Sequence, residues 1–133
     1  MNNYLLDTHS LLWFQGNSPK LSTAAMEIIR NPKNNISFSQ ISLFEIAIKQ
    51  SIGKLPEFRA DISTIYQQAI QDRLNFIPML NSHLYFYKEI PVLSIHRDPF
   101  DRLLIATAYT EMASIISIDK KFDLYSDIVK TIW

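Results

Sequence analysis

The stretch Tyr4-Leu5-Leu6-Asp7-Thr8 decides the fold class of this chain, because it predicts a short buried strand, residues 3–6, that ends in an acid. The residues that follow, 8–14, have a helical pattern, and the sequence Gly16-Asn17-Ser18-Pro19 breaks it. A buried strand that leads directly into a helix is typical of the repeating unit of α/β proteins.

The remainder of the chain continues this alternation of strands and helices. Apolar periodicity and breakers predict helices at 21–30, 41–51, 61–73, 82–87, 99–112 and 120–124, and strands at 36–38, 75–77, 114–118 and 128–132. Gly53 is the expected end of the helix at 41–51, in which Phe44, Ile48 and Ile52 form one apolar stripe. Strands that alternate with helices imply a mostly parallel sheet of four to five short strands, covered by helices on both faces.

Composition limits the possible functions. With 133 residues, of which 47% are hydrophobic, the chain is expected to form one domain over 1–133 with a substantial core. The formal net charge is zero, which disfavours gripping nucleic acid by bulk positive charge. There is no cysteine, no signal-peptide pattern and no apolar stretch long enough to span a membrane, so a cytoplasmic protein without a membrane partner is expected.

Four acids stand where predicted strands end or predicted helices begin, and each has strongly apolar neighbours: Asp7, Glu45, Asp101 and Asp119. In parallel sheets ligands bind outside the carboxyl ends of the strands, so Asp7 and Asp119 are expected to meet there. Carboxylates gathered at the edge of a core repel one another unless cations lie between them. Hard oxygen ligands of this kind suit Mg²⁺ or Mn²⁺, which favours a metal-dependent enzyme acting on phosphates.

Each acid also has a structural alternative. Asp7 is a possible cap of the helix that follows it. Glu45 is a possible capping-box partner of Ser42, and it stands four residues before Lys49 as in an ordinary helical ion pair. Asp98 precedes Pro99 and is the better cap of its helix, which leaves Asp101 for chemistry.

Three further observations concern the surroundings of the acids. Ser117 lies two residues before Asp119 and therefore on the same face of the strand. The histidines His9, His83 and His96 are scattered and form no zinc motif, although His9 is close enough in sequence to Asp7 to face the site. Candidates for a basic rim that contacts substrate phosphates are Arg97, Arg102, Lys49 and Lys54.

The ordered set of motifs resembles a PIN-domain ribonuclease, specifically a VapC-like toxin of type II toxin–antitoxin modules. The motifs are Leu5-Leu6-Asp7-Thr8-His9-Ser10-Leu11-Leu12-Trp13, Ile41-Ser42-Leu43-Phe44-Glu45-Ile46-Ala47-Ile48-Lys49 with Gly53-Lys54-Leu55, His96-Arg97-Asp98-Pro99-Phe100-Asp101-Arg102-Leu103-Leu104-Ile105-Ala106, and Ser117-Ile118-Asp119 with Phe122. The resemblance covers nearly the whole chain and implies a PIN-like three-layer α/β/α fold.

The resemblance also implies an activity and the residues that carry it. Asp7, Glu45 and Asp101 would bind one or two Mg²⁺ or Mn²⁺ ions, Asp119 would assist as the fourth acid, and the reaction would be hydrolysis of RNA phosphodiesters. Asp98, Ser117 and Thr8 are expected in auxiliary positions. The implied partners are a cognate antitoxin and, in a homodimer, a second copy of the chain.

Two alternatives remain open at the level of sequence. One is a non-catalytic binding module of the same fold, in which the acids are caps and surface charges. The other is a metal-dependent DNA nuclease that acts on flaps, although the small chain leaves little room for the elements needed to thread one.

Overall fold

The computed structural model describes residues 2–133. The β-strands are β1 (Asn3–Leu6), β2 (Asn35–Ser39), β3 (Asn75–Ile77), β4 (Ser114–Ile116) and β5 (Thr131–Ile132). The α-helices are α1 (Thr8–Gln15), α2 (Thr23–Arg30), α3 (Gln40–Ser51), α4 (Ile62–Gln71), α5 (Asn81–Tyr87) and α6 (Pro99–Thr110), and a 3₁₀ helix spans Lys120–Tyr125.

The five strands form one parallel sheet in the order β3-β2-β1-β4-β5. Strand β1 lies in the middle, with Tyr4 paired to Ile36 of β2 on one side and Leu6 paired to Ile116 of β4 on the other. The chain first builds the sheet outward through β2 and β3, and then returns to add β4 and β5 on the opposite side of β1. The crevice at such a reversal of strand order is where open α/β sheets bind ligands.

The core has two parts, one on each face of the sheet. Adjacent residues of β1 point in opposite directions: Leu6 packs in a cluster with residues of α1, α2, α3 and α4, and Leu5 packs in a cluster with residues of α6 and the 3₁₀ helix. Both leucines are fully buried. Helices therefore cover both faces of a parallel sheet, and the predicted three-layer α/β/α architecture is confirmed.

Most predicted elements are confirmed to within two residues at their ends, including the left-handed Gly53 (φ 73°) after α3. The last strand is shorter than predicted. Helix α3 differs more: the apolar stripe predicted on it faces outward, with Phe44 and Ile52 more than half exposed, while Glu45 is buried. Hydrophobic spacing identified the stripe but not the direction in which it faces, and the helix turns Glu45 inward instead. Within residues 2–133 no helix combines the length and apolarity needed to cross a membrane.

Candidate active site

An open cavity of about 360 Å³ lies at the carboxyl edge of the sheet. Its walls include all four predicted acids, and the lining residues are Asp7, Thr8, His9, Trp13, Glu45, Lys49, Asp98, Asp101, Ile118 and Asp119. Residues far apart in the sequence thus meet where the sheet topology predicts a ligand site. His9 also lines the cavity, which answers the question whether it faces the site.

Asp7 is the residue at the reversal of strand order. Its backbone N–H donates to Ile116 O (3.2 Å), which continues the pairing of β1 with β4. Its carboxylate accepts the Ser10 N–H (2.8 Å) and a short hydrogen bond from the Ser117 hydroxyl. The predicted capping role is therefore real, but Ser117 shows that the same carboxylate also joins β4 to β1 at the cavity.

Glu45 lies inside α3 and does not cap it. The helix begins at Gln40 with Ser39 as its cap, so the capping box proposed for Ser42 and Glu45 is wrong. Instead Glu45 is buried, accepts a hydrogen bond from Thr8 Oγ1 through Oε1 (2.5 Å), and pairs through Oε2 with Lys49 Nζ (3.0 Å). Glu45 is therefore a buried carboxylate that faces the cavity, and helix capping does not explain why it is there.

Asp101 is held by a buried histidine. His96 Nε2 lies 3.0 Å from Asp101 Oδ2, and His96 Nδ1 lies 2.7 Å from the hydroxyl of the fully buried Tyr125. In the neutral tautomer that fits both contacts, Tyr125 donates to Nδ1 and Nε2–H donates to the carboxylate. Asp101 is therefore oriented from behind by a chain of two hydrogen bonds.

The helix beginnings at the cavity are capped by two other acids. Asp98 accepts the backbone N–H groups of Phe100 (2.8 Å) and Asp101 (3.2 Å), as predicted for the cap of α6. Asp119 accepts the N–H of Lys121 (2.9 Å) and caps the 3₁₀ helix, while its own N–H donates to Ser117 Oγ (3.0 Å). Both acids thus combine a structural role with a place in the cavity wall.

The site carries an excess of negative charge that its burial makes unfavourable. Burial raises the pKa of Asp7, against the lowering effect of its hydrogen bonds with Ser10 and Ser117. Burial also raises the pKa of Asp101 to about 6, with further increases from the charges of Asp98 and Glu45 and a decrease from His96. Perturbed carboxylates in a cleft are typical of functional sites.

The donor set fits a hard divalent cation in chemical type, since four carboxylates face one cavity. In residues 2–133 no group of three or more histidine, aspartate or glutamate side chains is close enough together to hold one ion. In this arrangement each carboxylate contacts its own hydrogen-bond donor. A carboxylate oxygen has two lone pairs, so these contacts leave acceptor capacity free.

The four basic candidates occupy different environments. Lys49 lines the cavity beside Glu45. Arg97 and Lys54 are exposed and lie outside the cavity wall. Arg102 is buried, with its guanidinium 4.6 Å from the ring centroid of Tyr87 and its Nε without a hydrogen-bond partner among the described residues. The structure therefore brings Lys49 into the site and turns Arg102 toward the protein interior.

Two residues that contact the site were missed in the sequence. His96 was set aside with the other histidines, although it stands five residues before Asp101, close enough to turn back onto the first turn of α6. Tyr125 carries no signal at all, because its approach to His96 depends on how the 3₁₀ helix packs against α6.

The family model described as PIN domain matches residues 4–128. A search of curated proteins gives no significant match. Among solved structures, the chain superimposes on a chain of VapBC2 from Rickettsia felis bound to a DNA fragment from their promoter, with a TM-score of 0.68, 18% identity, and 98% of each chain covered.

Two further solved structures show the same fold. DNA-bound VapBC from Salmonella typhimurium gives a TM-score of 0.69 at 13% identity, with 99% of this chain and 98% of that chain covered. FitAcB from Neisseria gonorrhoeae gives 0.61 at 14% identity, with 98% and 96% covered. At these identities the similarity establishes the fold, and the family model, which spans most of the sequence, establishes that the chain belongs to the PIN-domain family.

Proposed function

We propose that this chain is a divalent-metal-dependent endoribonuclease that hydrolyses RNA phosphodiester bonds. The observation that carries the proposal is the convergence of Asp7, Glu45, Asp101 and Asp119 on one cavity at the reversal of strand order. Capping accounts for one oxygen of Asp7 and one of Asp119, but no capping role accounts for Glu45 or Asp101.

The four acids would hold the cation, and Mg²⁺ or Mn²⁺ matches their oxygen donors. A divalent cation bound there supplies Lewis-acid stabilisation of charge on the phosphate. The chain's own residues set the geometry. Thr8 and Lys49 hold the two oxygens of Glu45, and His96 holds one oxygen of Asp101. Ser117 and the Ser10 N–H orient Asp7 at the floor of the cavity.

Lys49 has a second contribution to make. Its ammonium is the basic side chain in the cavity wall, so it is placed to attract a phosphate toward a pocket that otherwise repels one. Its pairing with Glu45 neutralises part of the carboxylate charge before substrate arrives.

We further propose that the chain is the toxin of a type II toxin–antitoxin module and is inhibited by a cognate antitoxin. Support comes from chains of similar fold in complexes named VapBC and FitAcB. The exposed apolar side chains of α5 and the segment before α6, among them Leu84, Tyr85, Val92 and Ile95, are the kind of surface that protein partners or a second copy cover. The absence of cysteine is compatible with a reducing cytoplasm as the place of action.

The decisive experiment is a cleavage assay on total RNA, and on DNA in parallel, with Mg²⁺ or Mn²⁺ and with chelator. The parent chain is expected to cleave RNA only with metal, and Asp7→Asn is expected to be inactive while it keeps its fold by circular dichroism. Asp127→Asn, which changes an exposed acid away from the cavity, serves as the matched control. Cleavage by Asp7→Asn at the parental rate contradicts the proposal, and cleavage of DNA alone reassigns the substrate.

A second measurement does not depend on activity. Binding of Mn²⁺ to the folded chain raises its melting temperature, and a concentration 100 times the dissociation constant stabilises by about 2.7 kcal/mol. Asp7→Asn and Asp101→Asn are expected to reduce this shift. An equal shift in both variants contradicts the assignment of these acids to the cation.

A further inference from the structure

The two tryptophans of the chain are in contact with each other, and one of them, Trp13, lines the acid-lined cavity. Trp13 projects from α1 and Trp133 follows β5, and their ring centroids are 5.9 Å apart at 64°, an edge-to-face contact. The imidazole of His9, one turn before Trp13, lies 5.5 Å from the Trp13 ring. One tilted and one edge-to-face neighbour therefore hold the Trp13 ring, which is only partly buried.

The side chain of Trp13 contacts both the core and the cavity. Part of it packs against the core cluster beneath α1, and part of it lines the cavity next to Asp7 and His9. Core packing explains the first contact only. The cavity is lined mainly by charged side chains. The indole of Trp13 adds a flat apolar surface to it.

The charges around Trp13 suit a nucleotide. The ammonium of Lys20 is exposed and lies 5.9 Å from the centroid of the Trp13 ring, and Lys49 lies in the wall of the same cavity. Single-stranded nucleic acid is bound by this combination of aromatic faces for bases and cations for the backbone. A base inside a duplex is stacked on its neighbours and does not offer its face to a protein ring.

We propose that Trp13, oriented by His9 and Trp133, forms a stacking subsite for one unpaired nucleobase of the substrate, with Lys20 contacting an adjacent phosphate. The inference rests on the proposed function, because it assumes that RNA enters the acid-lined cavity. It adds a binding subsite for one nucleotide of that RNA, formed by the ring of Trp13 and the ammonium of Lys20.

The first test uses the fluorescence of Trp13 in the full chain. Asp7→Asn prevents cleavage, and Trp133→Phe in the same chain leaves Trp13 as the sole source of tryptophan emission. Titration with a short single-stranded RNA of mixed sequence is expected to quench this emission, whereas the same RNA annealed to its complement is expected to quench it much less. Binding of RNA without any change in Trp13 emission overturns the proposal, as does equal quenching by the duplex.

The second test compares affinities for the single-stranded RNA on the Asp7→Asn background. Trp13→Leu is expected to weaken binding at least about fivefold, as loss of one stacked base does, and Trp13→Phe is expected to weaken it less. Tyr109→Leu, which removes an exposed ring on α6 outside the cavity, is the matched control and is expected to bind normally. Normal binding by Trp13→Leu overturns the proposal. If that variant does not fold, normal binding by Lys20→Ala, which leaves the packed ring in place, overturns it.

The outcome separates this inference from the proposed function. Metal- and Asp7-dependent cleavage of RNA together with normal binding by the Trp13 variants removes the subsite and leaves the nuclease intact. Weakened binding and quenching without cleavage by the parent chain under any divalent cation retains the subsite and removes the nuclease. Failure of the Asp7→Asn chain to bind RNA at all overturns the subsite.

Discussion

The imidazole Nε2 of His96 lies 3.0 Å from Asp101 Oδ2, and the imidazole is buried while the carboxylate lies in the cavity wall. The other ring nitrogen is 2.7 Å from the Tyr125 hydroxyl, so the position of a cavity carboxylate depends on a residue of the 3₁₀ helix that does not line the cavity. A hydrogen bond that fixes the ring of His96 also fixes the direction in which the ring presents its proton to Asp101.

Tyr125→Phe removes only the hydroxyl and leaves the buried ring in place. We expect a loss of about 1 kcal/mol in the free energy of unfolding, and a 10- to 100-fold lower affinity for Mn²⁺, as is typical when a partner behind a metal ligand is lost. Calorimetric titration with Mn²⁺ measures the affinity. His96→Gln, which keeps a side-chain N–H donor, is expected to retain more affinity than His96→Ala, and equal affinity in all these variants and the parent contradicts the positioning role.

Glu45→Gln tests the only site acid that lies in the interior of a helix. The substituted side chain can still accept the Thr8 hydrogen bond, and an i,i+4 ion pair such as Glu45–Lys49 contributes about 0.5 kcal/mol, so stability is expected to change by less than ~1 kcal/mol. Cleavage of RNA and the Mn²⁺-induced rise in melting temperature are expected to fall sharply. Glu27→Gln, on the exposed side of α2, is the control, and an active Glu45→Gln contradicts a role in binding the cation.

The raised pKa of Asp101 predicts how stability depends on pH in the metal-free protein. The folded chain retains a proton on this carboxyl up to about pH 6, whereas the unfolded chain loses it near the ordinary value of 3.8. Because the folded state binds more protons in that window, the contribution of Asp101 to stability falls as pH rises from about 4 through 6, and it is lowest above 6. Asp7, whose pKa is also raised by burial, acts in the same direction.

Asp101→Asn removes this titration and keeps an acceptor for His96. Urea unfolding in chelator at several values of pH is therefore expected to show that the variant gains stability over the parent above pH 6 and loses that advantage near pH 4. Asp127→Asn is expected to follow the parent throughout. A constant difference between Asp101→Asn and the parent across this range contradicts the predicted proton binding.

Substitutions of Lys49 and Arg102 are expected to have different effects: the first on RNA binding and the second on the stability of the fold. Lys49→Met removes the cation in the cavity wall, so RNA binding is expected to weaken and its dependence on salt concentration to become shallower. Arg102→Lys replaces a guanidinium stacked on Tyr87 and is expected to destabilise the fold by about 1 kcal/mol with little effect on that salt dependence. A salt dependence in Lys49→Met equal to that of the parent contradicts the phosphate contact of Lys49.

The sequence was sufficient for the architecture because its signals are local. The buried run of β1, the breakers after α1 and the Asp98-Pro99 start of α6 each depend on neighbours within one turn or strand. Parallel topology then brings Asp7 and Asp119 to one edge of the sheet. The same local reasoning failed at Glu45, where the capping pattern with Ser42 is present but α3 has already begun at Gln40.

The contacts behind the acids could not be predicted, since they join segments that approach only in the folded chain. Thr8 reaches Glu45 across 37 positions, Ser117 reaches Asp7 across 110, and Tyr125 reaches His96 across 29. The hydrophobic periodicity of the sequence contains no information about such long-range hydrogen bonds. His96 was the exception, because it is close to Asp101 in sequence as well as in space, and a search for donors one turn before each acid would have found it.

The hydrogen bond from Ser117 to Asp7 has a consequence for biosynthesis. Strand β1 leaves the ribosome early, yet its second neighbour in the sheet, β4, follows only after most of the chain has been made. Until then Asp7 lacks both its Ser117 donor and the Ile116 carbonyl that anchors its backbone. A nascent chain therefore cannot complete the cavity before β4 and Ser117 have been made, and a cell that makes a nuclease of this design is exposed to it only after that point.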